Sequence, residues 1–289
     1  MHDYANTTAL VTGASKGLGE AYARELASRG AHLVLVARSA DALHALAGQL
    51  RKTHSVRVDV IAADLSDRRS PQAVVDAVGE LGLDVDLLLN NAGMGSVGPF
   101  LSRPLEPNLQ SVDVNVTALI GLVHLLAPGM VERGRGGIVN VASTAAFQPM
   151  PYQASYAATK AFVLSFTEAL AEEVRGTGVR VMAAHPGATD TGFFDRTTAT
   201  MDPRITDTPA DVAARTLDDF ARGRSISFPG RAYNRVGAWA ARLLPRTAVA
   251  RVTGNLNRRA GFDDVSDLDP ATSLRHDPRH EDSASRPGR

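Results

Sequence analysis

Residues Thr8-Ala9-Leu10-Val11-Thr12-Gly13-Ala14-Ser15-Lys16-Gly17-Leu18-Gly19 decide the fold. The first five are short, apolar and β-branched, as expected of a buried strand. The glycines at 13, 17 and 19 then let the backbone turn tightly and come close to a pyrophosphate. Beyond them Tyr22, Leu26 and Arg29 recur at helical spacing, so the loop opens a helix over Gly19–Arg29. The N-terminus of such a helix offers unpaired N–H groups and a positive dipole end. The spacing is G-x-x-x-G-x-G and not G-x-G-x-x-G, so the loop alone is equally consistent with a plain tight turn. Its position after the first strand favours a dinucleotide.

Working outward, β-branched runs alternate with helical patterns. Strands are expected at Thr8–Thr12, His32–Ala37, Val56–Ala62, Val85–Asn90, Gly137–Ala142 and Val179–Ala184, with a seventh at Ser225–Phe228. Helices are expected at Ser39–Lys52, Pro71–Leu81, Asn108–Arg133 and Tyr152–Arg175. Several strands, such as His32–Val36, are apolar on both faces, as a sheet covered by helices on both sides requires. The fold class is α/β: a doubly wound parallel sheet of about seven strands in a single domain. Thr208-Pro209-Ala210-Asp211 reads as a capping box that starts a further helix, running to about Arg222. Two amphipathic helices follow, Tyr233–Leu244 and Thr247–Arg258, broken by Pro245. From Asp263 the chain is polar and reads as disordered. The expected division is a catalytic domain over 1–230, a helical extension over 231–262 and a tail over 263–289.

Composition removes several function classes. The chain has 289 residues, 44% hydrophobic and 21% charged, which is ordinary globular composition. Lys+Arg and Asp+Glu are both 31, so the net charge is zero and the usual electrostatic case for nucleic-acid binding is missing. With no cysteine, disulfides, thiolate catalysis and cysteine-ligated zinc are excluded. His276 and His280 lie four apart in the polar tail beside Pro278 and read as solvated residues; no complete metal-ligand set is visible. No run approaches the ~18 uninterrupted apolar residues of a membrane span. The stretch from Met1 to Asn6 has no apolar signal core, and a cytoplasmic location is the expectation. Only three of the 31 basic residues are lysines: Lys16, Lys52 and Lys160.

Two of those lysines fall in motifs. The second strand ends in Ala37-Arg38-Ser39, where an acid would hold the ribose hydroxyls of NAD and an arginine accommodates a 2′-phosphate. Arg38 and Lys16 together, with no carboxylate, favour NADP(H). Tyr156-Ala157-Ala158-Thr159-Lys160 places a phenol and an ammonium one helical turn apart. A phenol with a reference pKa of ~10 ionises more readily beside a cation, so the pair can act as an acid/base unit. Ser143 lies just beyond the fifth strand, at the sheet edge where ligands bind, and can bond the oxygen that Tyr156 protonates.

With these residues the sequence resembles the short-chain dehydrogenase/reductase family, in its single-domain, NADP-preferring branch, from about residue 7 to about 230. The resemblance implies a catalytic tetrad of Asn115, Ser143, Tyr156 and Lys160. It implies cofactor contacts at Gly13, Ser15, Lys16, Gly17, Leu18, Gly19, Arg38, Asp64, Leu65, Asn91, Ala92, Gly93, Pro186, Gly187, Thr189 and Thr191, besides Tyr156 and Lys160. In reduction, NADPH would deliver hydride to a carbonyl carbon while Tyr156 donates a proton, Ser143 polarises the oxygen, and Lys160 holds the nicotinamide ribose and lowers the Tyr156 pKa. Asn115 would help hold Lys160 and a water chain. The same path reversed oxidises an alcohol or steroid. An NADP-binding sensor would not need the Ser143, Tyr156, Lys160 set. An epimerase or dehydratase would carry a different glycine loop and a larger substrate domain.

The substrate pocket is less legible. Met94, Phe147, Met150, Phe193 and Phe194 are the expected lining and suggest an apolar or neutral carbonyl, such as a ketone or 3-oxoacyl chain. The segment 231–259 is amphipathic and arginine-rich; it could cover the pocket, meet another subunit or lie weakly on a membrane surface. The resemblance implies a homo-oligomer, dimer or tetramer, built on the Asn108–Arg133 and Tyr152–Arg175 helices.

Overall fold

A computed structural model describes residues 4–192, 198 and 206–266. Seven strands form one parallel sheet in the order β3-β2-β1-β4-β5-β6-β7. They are β1 (Thr8–Thr12), β2 (His32–Ala37), β3 (Val58–Ala62), β4 (Leu87–Asn90), β5 (Gly136–Val141), β6 (Val179–Ala184) and β7 (Ile226–Ser227). The register pairs Thr12 with Val36, Asn90 with Asn140 and Val141 with Ala184, so the C-terminal ends of the strands line up along one edge. The strand order reverses direction at β1, which pairs with both β2 and β4. In open α/β sheets the ligand crevice lies at that reversal, outside the strand C-termini.

All five residues of β1 are buried, in keeping with helices on both faces. One face is covered by α1 (Gly17–Ser28), α2 (Ala40–His54) and α7 (Pro209–Ala221) around a core including Tyr22, Leu26, Leu43 and Phe220. Its two deepest phenols are satisfied: Tyr22 Oη donates to Thr216 Oγ1 at 3.0 Å and Tyr4 Oη to the Leu217 carbonyl at 2.7 Å. The other face is covered by α3 (Ser70–Glu80), α5 (Leu119–Glu132) and α6 (Ala154–Glu173) around Leu88, Leu122, Met130 and Val163. The capping box expected at Thr208 forms: its Oγ1 accepts from the Asp211 N–H at 3.1 Å and donates to Asp211 Oδ2 at 2.8 Å.

Several boundaries differ from the sequence reading. The loop-opening helix α1 starts at Gly17 and not Gly19. The helix expected at Asn108–Arg133 is interrupted: α4 (Glu106–Val112) runs through a π-helical turn, Asp113–Ala118, into α5. By length and composition Glu106–Glu132 is apolar enough to cross a membrane. Leu119, Leu122, Val123 and Met130 nevertheless pack into the sheet core, as a core helix does. The C-terminal helices are α8 (Ala232–Leu243) and α9 (Arg246–Arg259). The described chain continues past the expected end of structure at Asp263. Phe262 and Val265 are buried against Val97, and the Val265 carbonyl accepts from Arg103 Nη1 at 2.9 Å. His276 and His280 lie outside the described residues.

Candidate active site

The glycine loop leaves β1 in a conformation that other residues resist. Gly17 has φ +59°, and a Cβ there would stand 2.9 Å from the Thr191 carbonyl oxygen. A Cβ at Gly19 would meet the Gly13 oxygen at 2.1 Å, so α1 packs directly on the loop. Thr12 joins this loop to the segment after β4. Its Oγ1 accepts from the Asn91 and Ala92 N–H groups at 3.0 and 2.9 Å, while Asn91 Nδ2 donates to the Thr12 carbonyl at 2.9 Å. Ser15 and Leu18 lie in the same turn, and the Leu18 side chain is buried in the core.

Lys16 is the N-cap of α1 and makes no side-chain cap, so the first-turn N–H groups have no capping side chain. Lys16 and Arg38 are exposed, and their side chains make no hydrogen bond or ion pair among the described residues. An uncapped helix N-terminus, close-approach glycines and two free cations fit a dinucleotide phosphate group. Asp64 is exposed beyond β3; its Oδ1 accepts from Ser66 N–H and Oγ at 3.0 and 2.8 Å, a local turn bond. Leu65 turns its side chain into the core. The Pro186–Thr191 segment closes the far side. Thr189 Oγ1 donates to the Gly187 carbonyl at 3.1 Å and Thr191 Oγ1 to the Thr189 carbonyl at 3.4 Å. The Pro186 carbonyl accepts from Thr144 N–H at 3.0 Å.

Ser143 follows β5 in extended backbone and caps a 3₁₀ turn, Thr144–Phe147, accepting from Ala145 N–H at 3.1 Å. Its hydroxyl lies near enough to Tyr156 on α6 to act on the phenol. Tyr156 keeps part of its surface exposed. Burial of its phenol raises the pKa, and the neighbouring Ser143 hydroxyl works the other way. Lys160 is almost wholly buried one turn on and donates to the Val141 carbonyl at 2.8 Å. Burial pushes the Lys160 ammonium down to about 8. The expected lowering of the Tyr156 pKa by Lys160 does not dominate here: the ammonium sits 5.8 Å from the ring centroid and is engaged by a backbone carbonyl.

Asn115 lies in the π-helical turn. Its Oδ1 accepts from Met94 N–H at 2.9 Å, and its Nδ2 donates to the Met94 carbonyl at 2.8 Å and to Thr159 Oγ1 at 2.9 Å. Its side chain thus fixes the Met94 backbone and α6 and makes no direct bond to Lys160 among the described residues. The two meet at Gly93, where a Cβ would stand 3.3 Å from both Asn115 Oδ1 and Lys160 Nζ.

The expected pocket lining divides. Met94 and Met150 are partly exposed near the site. Phe147 is buried and packs edge-on against His185 at 4.9 Å and against Phe228 at 5.4 Å. It supports the 3₁₀ turn and does not line open space. Phe193 and Phe194 lie outside the described residues.

His185, directly after β6, is a site residue that the sequence reading missed. Its Nδ1 meets the Ser143 carbonyl at 3.3 Å, and since a carbonyl only accepts, Nδ1 carries the proton. Nε2 is buried with no hydrogen-bond partner among the described residues. Burial pushes the His185 pKa down to about 4; the nearby charges of Arg242 and Lys160 add to this, and the Ser143 bond opposes it. Its place directly before Pro186-Gly187 was the available signal.

The model of the short chain dehydrogenase family matches residues 7–202. The chain is 35% identical over 62% of its length to "Hydroxysteroid dehydrogenase-like protein 1" of Gallus gallus, and spans only 54% of that relative. It is 30% identical over 86% of its length to "Very-long-chain 3-oxoacyl-CoA reductase" of Macaca fascicularis, covering 79% of it. Among solved structures, a short-chain dehydrogenase from Sphingobium yanoikuyae in complex with NADPH superposes with a TM-score of 0.73 at 35% identity, over 81% of this chain and 92% of that one. With the glycine loop, the Ser143–Tyr156 pair and Lys160 gathered at the strand reversal of a seven-stranded parallel sheet, this chain belongs to the short-chain dehydrogenase/reductase family.

Proposed function

We propose that this chain is an NADP(H)-dependent reductase of apolar ketones, with 3-oxoacyl chains as the leading substrate class. The observation that carries the reading is Tyr156 beside Ser143 at the sheet edge, with Lys160 buried one turn on and donating to the Val141 carbonyl. NADPH, when bound, supplies the hydride that reduces the carbonyl carbon. Tyr156, held protonated by its raised pKa, donates the proton to the carbonyl oxygen. Ser143 donates a hydrogen bond to the same oxygen and fixes its position. Lys160 holds the nicotinamide ribose hydroxyls, and its pKa of about 8 lets it return a proton toward Tyr156. Asn115 and Thr159 keep the Met94 backbone and α6 in register around that lysine.

Arg38 and Lys16, whose side chains have no partner among the described residues, with no acid at the end of β2, support the 2′-phosphate of NADP(H). The relatives named for hydroxysteroids and for very-long-chain 3-oxoacyl-CoA support a large apolar substrate. The test is a panel of 3-oxoacyl thioesters, ketosteroids and aromatic ketones, with the matching alcohols for the reverse direction. Each is offered with NADPH/NADP and NADH/NAD. Turnover confined to small charged carbonyls, or preference for NADH, contradicts the reading.

A further inference from the structure

Helix α8 is built the opposite way round from a surface helix. Its buried positions are the small Ala238 and Ala241, while Val236 is 65% and Leu243 86% exposed. On α9 the inward positions are Val249, Thr253 and Asn257, and Val252 and Leu256 point outward at 59% and 57% exposure. Trp239 and Leu244 are exposed as well. Between Arg231 and Arg259 there are seven arginines and no aspartate or glutamate, in a chain whose total charge is zero. All seven are exposed. Large apolar side chains turned outward and flanked by arginines form an interfacial surface.

We infer that α8 and α9 dock on an anionic lipid bilayer, apolar face inward and arginines against the headgroups. Charge selects this occupant. A second copy of the chain placed on the same face would set arginines against arginines with no carboxylate in the segment to relieve them. An anionic leaflet supplies the complementary sign, and each arginine near the surface adds to the attraction. The position suits an enzyme of apolar carbonyls. Helix α8 packs on the 3₁₀ turn that follows Ser143, with Arg242 stacked 4.8 Å over the Phe147 ring. The docked face therefore lies beside the site. The inference rests on the helices themselves and stands whether or not the proposed substrate class is right.

Trp239 is the only tryptophan in the chain, so its fluorescence reports this face directly. The full chain is mixed with vesicles of pure phosphatidylcholine, or of phosphatidylcholine with about one third phosphatidylserine, and read by flotation and by tryptophan emission. Expected is flotation with the anionic vesicles only, a blue shift of Trp239, and loss of both when ionic strength is raised about tenfold. The Val236→Asp/Leu243→Asp double variant, checked for folding by circular dichroism, is expected to bind at least about tenfold more weakly. Arg246→Gln/Arg251→Gln, which leaves the apolar face intact, is expected to lose the preference for phosphatidylserine. Three results overturn the inference: no flotation and no blue shift, equal binding by the folded Asp variant, or a lipid-free dimer that the Asp variant dissolves.

Discussion

Asn115 and Met94 exchange two hydrogen bonds: Met94 N–H donates to Asn115 Oδ1 at 2.9 Å, and Asn115 Nδ2 returns one to the Met94 carbonyl at 2.8 Å. The exchange uses a side chain presented by the π-helical turn Asp113–Ala118 and fixes the backbone that follows β4. Such turns recur in helices at functional sites. Asn115→Ala leaves both Met94 backbone groups without this partner. It is expected to lower stability by about 1–3 kcal/mol and to reduce kcat more than it raises the KM for cofactor. Chemical denaturation and steady-state kinetics on one preparation check both effects.

The Arg38 side chain, just after β2, has no partner among the described residues. On the proposed reading, Arg38→Asp removes a charge-assisted contact to the 2′-phosphate and adds repulsion. It is expected to raise the KM for NADPH roughly 10- to 100-fold while leaving that for NADH little changed or lower. Titration of both cofactors against wild type and variant reads the switch; an equal rise for both would mean that Arg38 does not sense the phosphate.

Lys160 has its pKa pushed down to about 8 by burial. Its ammonium is therefore lost as pH rises through about 8, well below the range where a solvated lysine titrates. The Tyr156 pKa is raised, so the phenol keeps its proton over the same range. Carbonyl reduction is expected to show kcat/KM level at neutral pH and falling above about 8. A profile level to pH ~10 would show that the free enzyme does not use a depressed lysine.

His185 couples the site to acid stability. Its pKa falls from 6.5 to about 4 on burial in the folded chain, so between these values the unfolded chain binds more protons. Stability is then complete above pH 6.5 and is lost as pH falls toward about 4. The shift corresponds to about 3 kcal/mol. His185→Leu is expected to be less stable at neutral pH, through loss of the bond to Ser143, and to lose less on acidification. Parallel acid limbs for the two proteins in urea denaturation would contradict this.

What could be read from the sequence was what is decided locally. The glycine loop, the Tyr156–Lys160 spacing and the Thr208–Asp211 box are each written within a few neighbouring residues, and strand alternation with helices follows from their periods. The π-helical turn was hidden because nothing between Asp113 and Ala118 breaks a helix; the demand comes from Met94 and Thr159, distant in sequence. Strand β4 starts at Leu87 and not Val85; Asp86, just before it, already bonds through its backbone to Thr8 and Gly137, and its Oδ2 accepts from Thr8 N–H at 3.0 Å. Val265 sits among acidic residues and reads as tail, and only its burial against Val97 extends the structure past Asp263. Phe147 was assigned to the pocket by its loop position, but His185, Phe228 and α8 enclose it.

The central claim is that Tyr156, paired with Ser143 and beside Lys160, is the proton donor of an NADPH-dependent carbonyl reduction. The most direct measurement is NADPH consumption by wild type and Tyr156→Phe on the best ketone of the panel, with NADPH affinity measured in parallel by fluorescence. The account predicts unchanged affinity and a loss of kcat of about 10²-fold or more in the variant. Wild-type turnover by Tyr156→Phe, with NADPH still bound, would contradict it.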